Sequence, residues 1–450
     1  MNDKSDQNGK LNHADVQGNI LRGYRKQRVR YLMLKVTDAT AARRWLTASL
    51  TGSDGVPQIT TESEKRWGKE KKPETCFNIG LTYEGLRALG TAAASLADFP
   101  TEFIEGMPKR AVKLGDVGPS APENWEKPFD RPAQIHIIAS IYVGDVDQPD
   151  AAREVAQLDA IQRAAISDKW GLKLLETEPA RDGWCFNKDY VHFSYTDNIS
   201  QPKFEEIHGT DNYPDWDSQP MAPLGTVLLG YETNFEGLKW RVPQPKQLGY
   251  NGSFNAFRVL EQDVVGFEEY LTTAANFLLN HPKVDQLLPQ GDETKIGEGL
   301  SRRDALREVV AANMCGRWRN GVPLALSPDT PNPSKPVSMT NFDYDRDSRC
   351  PYGAHIRRCN PRGAQIVQRV ANHSRRLVRR GMPYGPAYVH DPAVHDPSKP
   401  RDPKEPKRGL LGNFIGANLG AQFEAMSCDW LNLGLQDPRV TGSNDPLLGA

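Results

Sequence analysis

Hydrophobic and polar positions follow two periods along the first half of the chain. Short runs rich in β-branched and aromatic residues predict strands, and apolar residues spaced three or four apart predict helices. The predicted strands cover 28–36, 76–83 and 134–143, and the predicted helices cover 39–50, 84–89 and 149–166. Strands and helices in this order suit a split β-α-β, ferredoxin-like unit.

The second half repeats this arrangement loosely, without a visible sequence repeat. The predicted strands cover 225–231, 254–260, 376–379 and 410–415, and the predicted helices cover 264–279, 302–318 and 422–432. We therefore predict an α+β fold with two similar halves. The predicted divisions are a disordered arm at 1–12, an N-terminal ferredoxin-like domain at 13–215 and a C-terminal one at 216–450.

Composition narrows the class of protein. A chain of 450 residues that is 38% hydrophobic can bury two ordinary cores. Its net charge of −1 argues against a general nucleic-acid binder. It has no apolar run of about 18 residues, so we predict no membrane span. The polar N-terminus resembles no ordinary secretory signal, and the six cysteines form no C-x-x-C pair, so we predict a cytoplasmic protein.

The segment 345–362 is the best candidate for chemistry. It places His355 in a short stretch bounded by proline and glycine and followed by arginines. A neutral imidazole on such a turn is a good axial ligand for haem iron, and arginines suit the carboxylates of an anionic cofactor. A lone histidine is more often structural, so these residues alone leave both interpretations open. A haem-thiolate role for Cys350 is a weaker alternative, and the cysteine spacing matches no zinc site.

Two further segments are ambiguous by themselves. Asp197 lies in a polar turn within 193–202, which is either a plain Asx-turn or a functional carboxylate. Two arginine pairs lie in 375–385, which is either a solvated edge strand or a strand that turns one arginine inward to stabilise negative charge.

Taken together, the three segments resemble the dye-decolourising peroxidase family, in particular its larger, insertion-rich members. The family's A-H-I-R-x-x-N-P-R segment matches 354–362, its R-R-G matches 379–381, and its aspartate position falls on Asp197. Its N-terminal D-x-Q-G-N-I-L signature matches 15–21, and further likeness runs through 118–125 and 316–318. The resemblance therefore covers nearly the whole chain.

The resemblance implies a dimeric α+β barrel-type fold with one haem b per chain in the C-terminal half. It implies that His355 is the axial ligand and that Asp197 and Arg379 act on hydrogen peroxide across the haem. It also implies that phenolic or dye-like small aromatic reductants are oxidised one electron at a time, and it allows a homodimer. Further residues that it assigns to haem binding are Ile199, Arg357, Arg362, Phe414 and Asn418.

The chain departs from the family pattern at four positions. Ser194 and Asn198 replace the two glycines of G-x-x-D-G, and asparagine is the best non-glycine residue for a left-handed backbone. Gly412 replaces an aromatic residue of the distal pocket. Asn418 falls where many relatives have an aspartate that is a candidate partner of the axial imidazole. These departures motivate an alternative hypothesis, a haem-binding protein with little peroxidase turnover.

Overall fold

A computed structural model describes residues 11–62, 73–175, 182–186, 189–209, 219–233, 235, 237–344, 348–363, 375–389 and 404–448. Most of the predicted N-terminal arm and the predicted domain boundary near 215 lie outside these residues. The domain division therefore stays a prediction, although each of the two sheets falls within one predicted domain.

The N-terminal half is built on a five-stranded antiparallel sheet. Its strands are β1 (Arg28–Val36), β2 (Cys76–Leu81), β3 (Ile137–Val143), β4 (Leu172–Leu174) and β5 (Asp182–Trp184). The order is β2-β3-β1-β4, with β5 pairing β1 beside β4. One face packs against helices around Trp45 and Phe77, both fully buried. This order is that of a ferredoxin-like unit and confirms the interpretation of the first half.

The C-terminal half carries a second, four-stranded antiparallel sheet. Its strands are β6 (Phe254–Glu261), β7 (Val378–Arg379), β8 (Met382–Tyr384) and β9 (Gly409–Gly416). Strand β9 lies at the centre, with β6 along one side and β7 and β8 along the other. The two sheets meet through a buried aromatic contact, in which the rings of Tyr31 and Phe257 lie 4.7 Å apart.

Helices cover both sheets. They are α1 (Gly18–Leu21), α2 (Ala39–Thr51), α3 (Tyr83–Ala88), α4 (Ala93–Leu96), α5 (Thr101–Glu105), α6 (Ala111–Leu114), α7 (Ala151–Ala165), α8 (Glu205–His208), α9 (Val264–Leu279), α10 (Glu293–Ile296), α11 (Arg302–Cys315), α12 (His355–Cys359) and α13 (Leu419–Asn432), the last with π-type hydrogen bonding. The long ones begin at side-chain caps, such as Asp38 for α2 and Ser301 for α11. Within the described residues, no helix has the length and apolarity to cross a membrane.

One predicted strand is wrong. Residues 225–231 form no strand, because a 3₁₀ turn at Leu224–Thr226 opens the segment and Leu228 N–H bonds back to Leu224 O. The segment is apolar because it is buried against Phe204 and Val378, which pattern alone does not distinguish from a buried strand. The other long predicted elements are confirmed, with ends shifted by a few residues.

A segment at the N-terminus joins the two sheets. The side-chain amide of Gln17 exchanges two 2.9 Å hydrogen bonds with the backbone of Ile79 at the edge of β2. The buried carboxylate of Glu62 accepts from the N–H groups of Leu21 (3.2 Å) and Arg22 (3.0 Å), both on the same oxygen. Burial raises the pKa of Glu62 to about 7, against the lowering effect of these N–H groups.

The raised pKa of Glu62 predicts how stability depends on pH. The folded state holds this proton more tightly than the unfolded state, so stability is lost as pH rises through the folded value of about 7. Glu62→Gln keeps an oxygen acceptor and removes the titration. We expect the variant to be more stable than wild type at about pH 8, by at most roughly 3 kcal/mol, and no more stable at about pH 4. Urea unfolding at the two pH values measures this, and an equal difference at both would contradict it.

Candidate active site

His355 opens the short helix α12 and is held by a carboxylate from the C-terminus of the chain. Both oxygens of Asp445 lie 3.1 Å from His355 Nδ1. Asp445 has no exposed side-chain surface and also accepts from the N–H groups of Leu447 and Leu448, each at 2.9 Å. Burial would raise the pKa of Asp445, but His355 and these N–H groups hold it below its usual value. The carboxylate therefore favours the tautomer of His355 that carries its proton on Nδ1.

The other ring nitrogen of His355 is available to a ligand. Among the described residues, the polar group that Nε2 meets is the thiol of Cys359 on the same helix, at 3.6 Å. The imidazole side chain keeps 29% of its surface accessible, although its partner Asp445 is completely buried. By contrast, burial raises the pKa of Cys350 to about 12, which leaves it a protonated thiol and a poor thiolate ligand.

Asn418 does not contact the axial histidine, and the prediction that it stands in for that partner is wrong. Its side chain caps α13 by accepting from Ala421 N–H at 2.7 Å, and its own N–H bonds to Gln422 at 2.8 Å. The chain instead supplies the carboxylate 27 positions later, at Asp445 (445 − 418).

Asp197 lies on a loop whose backbone has the left-handed conformation at three non-glycine residues. Ser194, Asn198 and Ser200 have φ values of 62°, 60° and 58°. The left-handed turns are thus kept at both positions where the family has glycine. Hydrogen bonds fix the loop, since Asp197 N–H donates to Asp189 O at 2.7 Å and Thr196 N–H donates to Arg319 O at 2.8 Å. The carboxylate itself is half exposed.

Arg379 brings its guanidinium to the same loop. Its Nη2 donates to Ile199 O at 2.8 Å and lies 3.8 Å from Asp197 Oδ1. The side chain of Gln201 brackets the Arg379 peptide, because its amide accepts from Arg379 N–H at 3.1 Å and donates to Arg379 O at 3.3 Å. Asp197 and Arg379, 182 positions apart in sequence, therefore lie next to each other (379 − 197).

An aromatic ring lies over the position where Gly412 departs from the family pattern. Phe414 pairs with Arg379 between β9 and β7, and a Cβ added at Gly412 would lie 2.6 Å from its ring. Phe414 therefore occupies space that a side chain at 412 would need. On the loop side, the side chain of Ile199 packs against Gly321, whose absent Cβ makes room for it.

Two buried arginines, Arg317 and Arg376, contact the same loop, and the partly exposed Arg362 lies near both of them. Arg376 donates to Ser200 O, and Arg317 donates to Ser200 Oγ at 3.4 Å and Gly321 O at 2.8 Å. Arg362 donates to two backbone carbonyls at 2.8 Å, and its Nε is buried without a hydrogen-bond partner. Within the described part of the chain, none of the three forms an ion pair with a carboxylate. We call Arg317, Arg362 and Arg376 the arginine cluster.

The pKa values of the cluster reflect this unbalanced charge. Burial, followed by the charges of Arg379 and Arg362, lowers the pKa of Arg376 to about 9. Burial likewise lowers the pKa of Arg317 to about 10, and Arg362 and Arg379 add to the effect. These cations lower one another's pKa, and a bound anion would oppose that effect.

Arg357 is engaged away from this cluster. Its guanidinium lies 4.0 Å from the ring centre of Tyr352 and 4.5 Å from that of Tyr344, and it donates to Cys350 O at 2.5 Å. These contacts order the loop before α12 and leave Arg357 no evident part in binding an anion.

A cavity of about 1360 Å³ adjoins the site. Its walls include Leu377 and Phe414, which border Arg379, and Leu447, which follows Asp445. His355, Asp197 and Arg379 do not themselves line it. The cavity therefore does not mark the space between Asp197, Arg379 and His355.

Comparisons with known proteins show which proteins this chain is similar to. Residues 15–173 match the model of the DyP dimeric alpha+beta barrel domain. A dye-decolorizing peroxidase of Mycetinis scorodonius is 29% identical over 448 residues, covering 98% of this chain and 77% of the relative. A multifunctional dye peroxidase of an Amycolatopsis species is 29% identical over 433 residues, covering 93% of this chain and 80% of the relative.

Solved structures share the fold. A dye-decolorizing peroxidase in complex with 2,6-dimethoxyphenol superimposes with a TM-score of 0.72 at 25% identity, covering 98% of this chain and 89% of that one. A fungal peroxidase of Auricularia auricula-judae gives a TM-score of 0.72 at 23% identity with the same coverage. The fold is thus that of an α+β barrel-type peroxidase with two ferredoxin-like halves. Over nearly its whole length the chain is thus similar to dye-decolourising peroxidases, which are haem enzymes.

Some residues of the site were not predicted from the sequence. Asp445 lies in no segment singled out from the sequence. Gln201 and Arg376 lie within 193–202 and 375–385, but their roles depend on contacts with distant residues that those patterns do not indicate. Arg317 lies in the stretch 316–318 that resembles the family, so the likeness located it without indicating its burial.

The left-handed turn after Asp197 predicts a contrast between two substitutions. Asn198→Gly should be nearly neutral, because glycine adopts φ near 60° freely. Asn198→Val should lower the free energy of unfolding by about 1–3 kcal/mol, because a β-branched residue is strained there. Urea unfolding of the two variants beside wild type measures the difference, and equal stabilities would contradict the assigned backbone.

Proposed function

We propose that this protein is a haem b peroxidase, with one haem per chain, that reduces hydrogen peroxide and oxidises phenolic or dye-like molecules one electron at a time. The observation that carries the proposal is the arginine cluster beside Asp197 and Arg379, which forms no ion pair with a carboxylate of the described residues. A dianionic cofactor would pair with these cations, and the Nε2 atom of His355, which meets only the weak Cys359 thiol among the described residues, would bind its metal.

The residues fit haem at two kinds of contact. His355 Nε2 would bind the iron, and Asp445 would hold the imidazole in the required tautomer and increase its basicity. The arginine cluster would receive the propionates, and the orphaned Nε of Arg362 is a donor in need of an acceptor. Ile199 and Phe414 would border the distal side, where they contact Arg379.

In this proposal Asp197 transfers a proton of the peroxide and Arg379 stabilises negative charge. When bound, haem supplies an iron that takes oxidising equivalents from peroxide and passes them to reductants singly. A carboxylate oxygen of Asp197 takes the proton from one peroxide oxygen and delivers it to the other, acting as base and then as acid. The guanidinium of Arg379 stabilises the negative charge that develops as the oxygens separate. The exposure of half the Asp197 side chain lets small peroxides reach it.

We further propose that the protein works in the reducing cytoplasm and that it is compatible with a homodimer. All six cysteines are free thiols, as expected where disulfides do not form. The matched N-terminal domain is described as a dimeric barrel. The two ferredoxin-like halves of one chain already provide two sheets, so that description does not require a second chain.

Three substitutions test the assigned roles. His355→Ala should abolish the Soret band on reconstitution with haem, because the axial ligand is gone. Asp197→Ala and Arg379→Leu should keep a wild-type haem content and lose peroxide-dependent oxidation of 2,6-dimethoxyphenol, by about a hundredfold or more. A normal haem spectrum in His355→Ala would overturn the ligand assignment.

The same assay separates the enzyme from a haem-binding protein with little turnover. Haem-loaded wild type that consumes peroxide many times over, with matching oxidation of the phenol, supports the peroxidase. Wild type that binds haem in equal amount but bleaches after a few equivalents of peroxide would support the alternative.

The arginine cluster predicts a selective loss of haem affinity. Arg376→Met should weaken haem binding by about tenfold or more, because it removes a charged donor to a propionate. Arg375→Met is the matched control, since among the described residues the adjacent Arg375 bonds to Ala421 O and lies over Trp430. Absorbance titration of apoprotein with haem measures both affinities. Equal weakening in the two variants would contradict a propionate site at Arg376.

A further inference from the structure

Arg380 follows the distal arginine in sequence but reaches a different part of the molecule. Its guanidinium donates to three consecutive carbonyls of α1, those of Asn19 at 2.7 Å, Ile20 at 3.4 Å and Leu21 at 3.3 Å. These carbonyls close a four-residue helix and have no further turn to bond to. The Glu62 carboxylate acts on Arg380 electrostatically, and the hydrogen bonds of the Arg380 guanidinium go to these carbonyls and to Arg379 O.

The N-terminal segment is shaped around this guanidinium. Gly23 has a left-handed φ of 75°, and a Cβ there would lie 2.6 Å from Arg380 Nε. Gly18 is equally restricted, because a Cβ there would lie 2.8 Å from the hydroxyl of Tyr24. Gly18 of the N-terminal motif and Gly23 just after it are therefore both required by close contacts, Gly23 by its contact with Arg380.

Arg380 also fixes the backbone that carries Arg379. Its Nη1 donates to Arg379 O at 2.9 Å, and its N–H donates to Asn413 O at 2.8 Å. Gln201 holds the Arg379 peptide from the side of the Asp197 loop. The peptide of Arg379 is thus clamped between the distal loop and the N-terminal segment.

We propose that Arg380 is a positioning residue for peroxide reduction, because it ties the strand that carries Arg379 to the N-terminal segment 17–24. That segment is in turn anchored to the first sheet through Gln17 and Ile79. The N-terminal motif then serves the active site from a distance, by setting where the Arg379 guanidinium lies. This inference rests on the proposed role of Arg379.

The first test measures the distal site with an anion and with peroxide. Haem-loaded Arg380→Met should bind cyanide about tenfold more weakly by Soret titration, because a small displacement of the Arg379 guanidinium weakens its hold on a distal anion. The kcat/KM for peroxide should fall by a similar factor, while the kcat/KM for 2,6-dimethoxyphenol stays within about twofold. Arg380→Lys should recover part of both losses, since one ammonium can reach one or two of the carbonyls.

A matched control separates positioning from loss of stability. Arg30→Met removes another buried arginine that joins elements, through its ion pairs with Asp159 and Asp182 in the N-terminal sheet. It should lower the thermal midpoint at least as much as Arg380→Met and leave cyanide affinity unchanged. Equal loss of cyanide affinity in both variants would overturn the proposal, because the effect would then follow stability alone.

A second pair of variants keeps the proposal testable if Arg380→Met fails to fold. Gly23→Ala should displace the Arg380 side chain and reproduce the loss of cyanide affinity. Gly52→Ala places the same strain at a left-handed glycine, φ 69°, that ends α2 far from Arg380, and should leave cyanide affinity unchanged. Wild-type cyanide affinity in Gly23→Ala would overturn the proposal.

Arg379→Leu separates the proposed function of Arg379 from the proposed positioning role of Arg380. If it weakens cyanide binding while Arg380→Met and Gly23→Ala do not, the positioning role is wrong and the function of Arg379 stands. If Arg379→Leu itself has no effect on cyanide or peroxide, the proposed function fails and the inference fails with it.

Discussion

Buried positive charge that pairs with no carboxylate of the described residues is the constraint on which the C-terminal half depends. Arg317 and Arg376 are 6% and 9% exposed, and they rest on backbone and hydroxyl oxygens of the loop that also carries Asp197. Burying guanidinium groups in this way costs free energy unless an anion joins them. The fold thus retains an unfavourable arrangement that a dianionic cofactor would relieve, which links haem binding to the stability of the distal loop.

Around His355, by contrast, the buried charge has hydrogen-bond partners. Asp445 is completely buried, yet its two oxygens are fully used by His355 and two backbone N–H groups. This network occupies Nδ1 of the imidazole and leaves Nε2 to bind a metal. The site therefore combines a satisfied carboxylate that orients a ligand with an unsatisfied group of cations that attracts one.

The distal side depends on contacts between parts of the chain that are far apart in sequence. Gln201 joins the Asp197 loop to the strand of Arg379, and Arg380 joins that strand to α1. The two halves of the barrel are thus connected at the residues proposed to act on peroxide. An active site assembled at such a junction can be disturbed from the N-terminus without any change in the residues that meet the substrate.

Much of the fold and part of the site could be predicted from the sequence. Strands such as 28–36 and helices such as 264–279 follow from periodicity, because each buries one face against its own sheet. Segment 225–231 failed because a buried, internally bonded loop has the same composition as a strand. The family motif located His355, Arg379 and Asp197. The resemblance pointed to Asn418 and not to Asp445. No local pattern marks a carboxylate that contacts the histidine from 90 positions away in sequence (445 − 355).

A crystal structure of the haem-reconstituted protein, with the iron located by anomalous diffraction, tests the central claim most directly. The account predicts iron bonded to His355 Nε2, propionate oxygens within hydrogen-bond distance of Arg362 and at least one of Arg317 and Arg376, and Asp197 and Arg379 on the opposite face of the haem. Iron bonded to another residue, or propionates directed away from the arginine cluster, would contradict it.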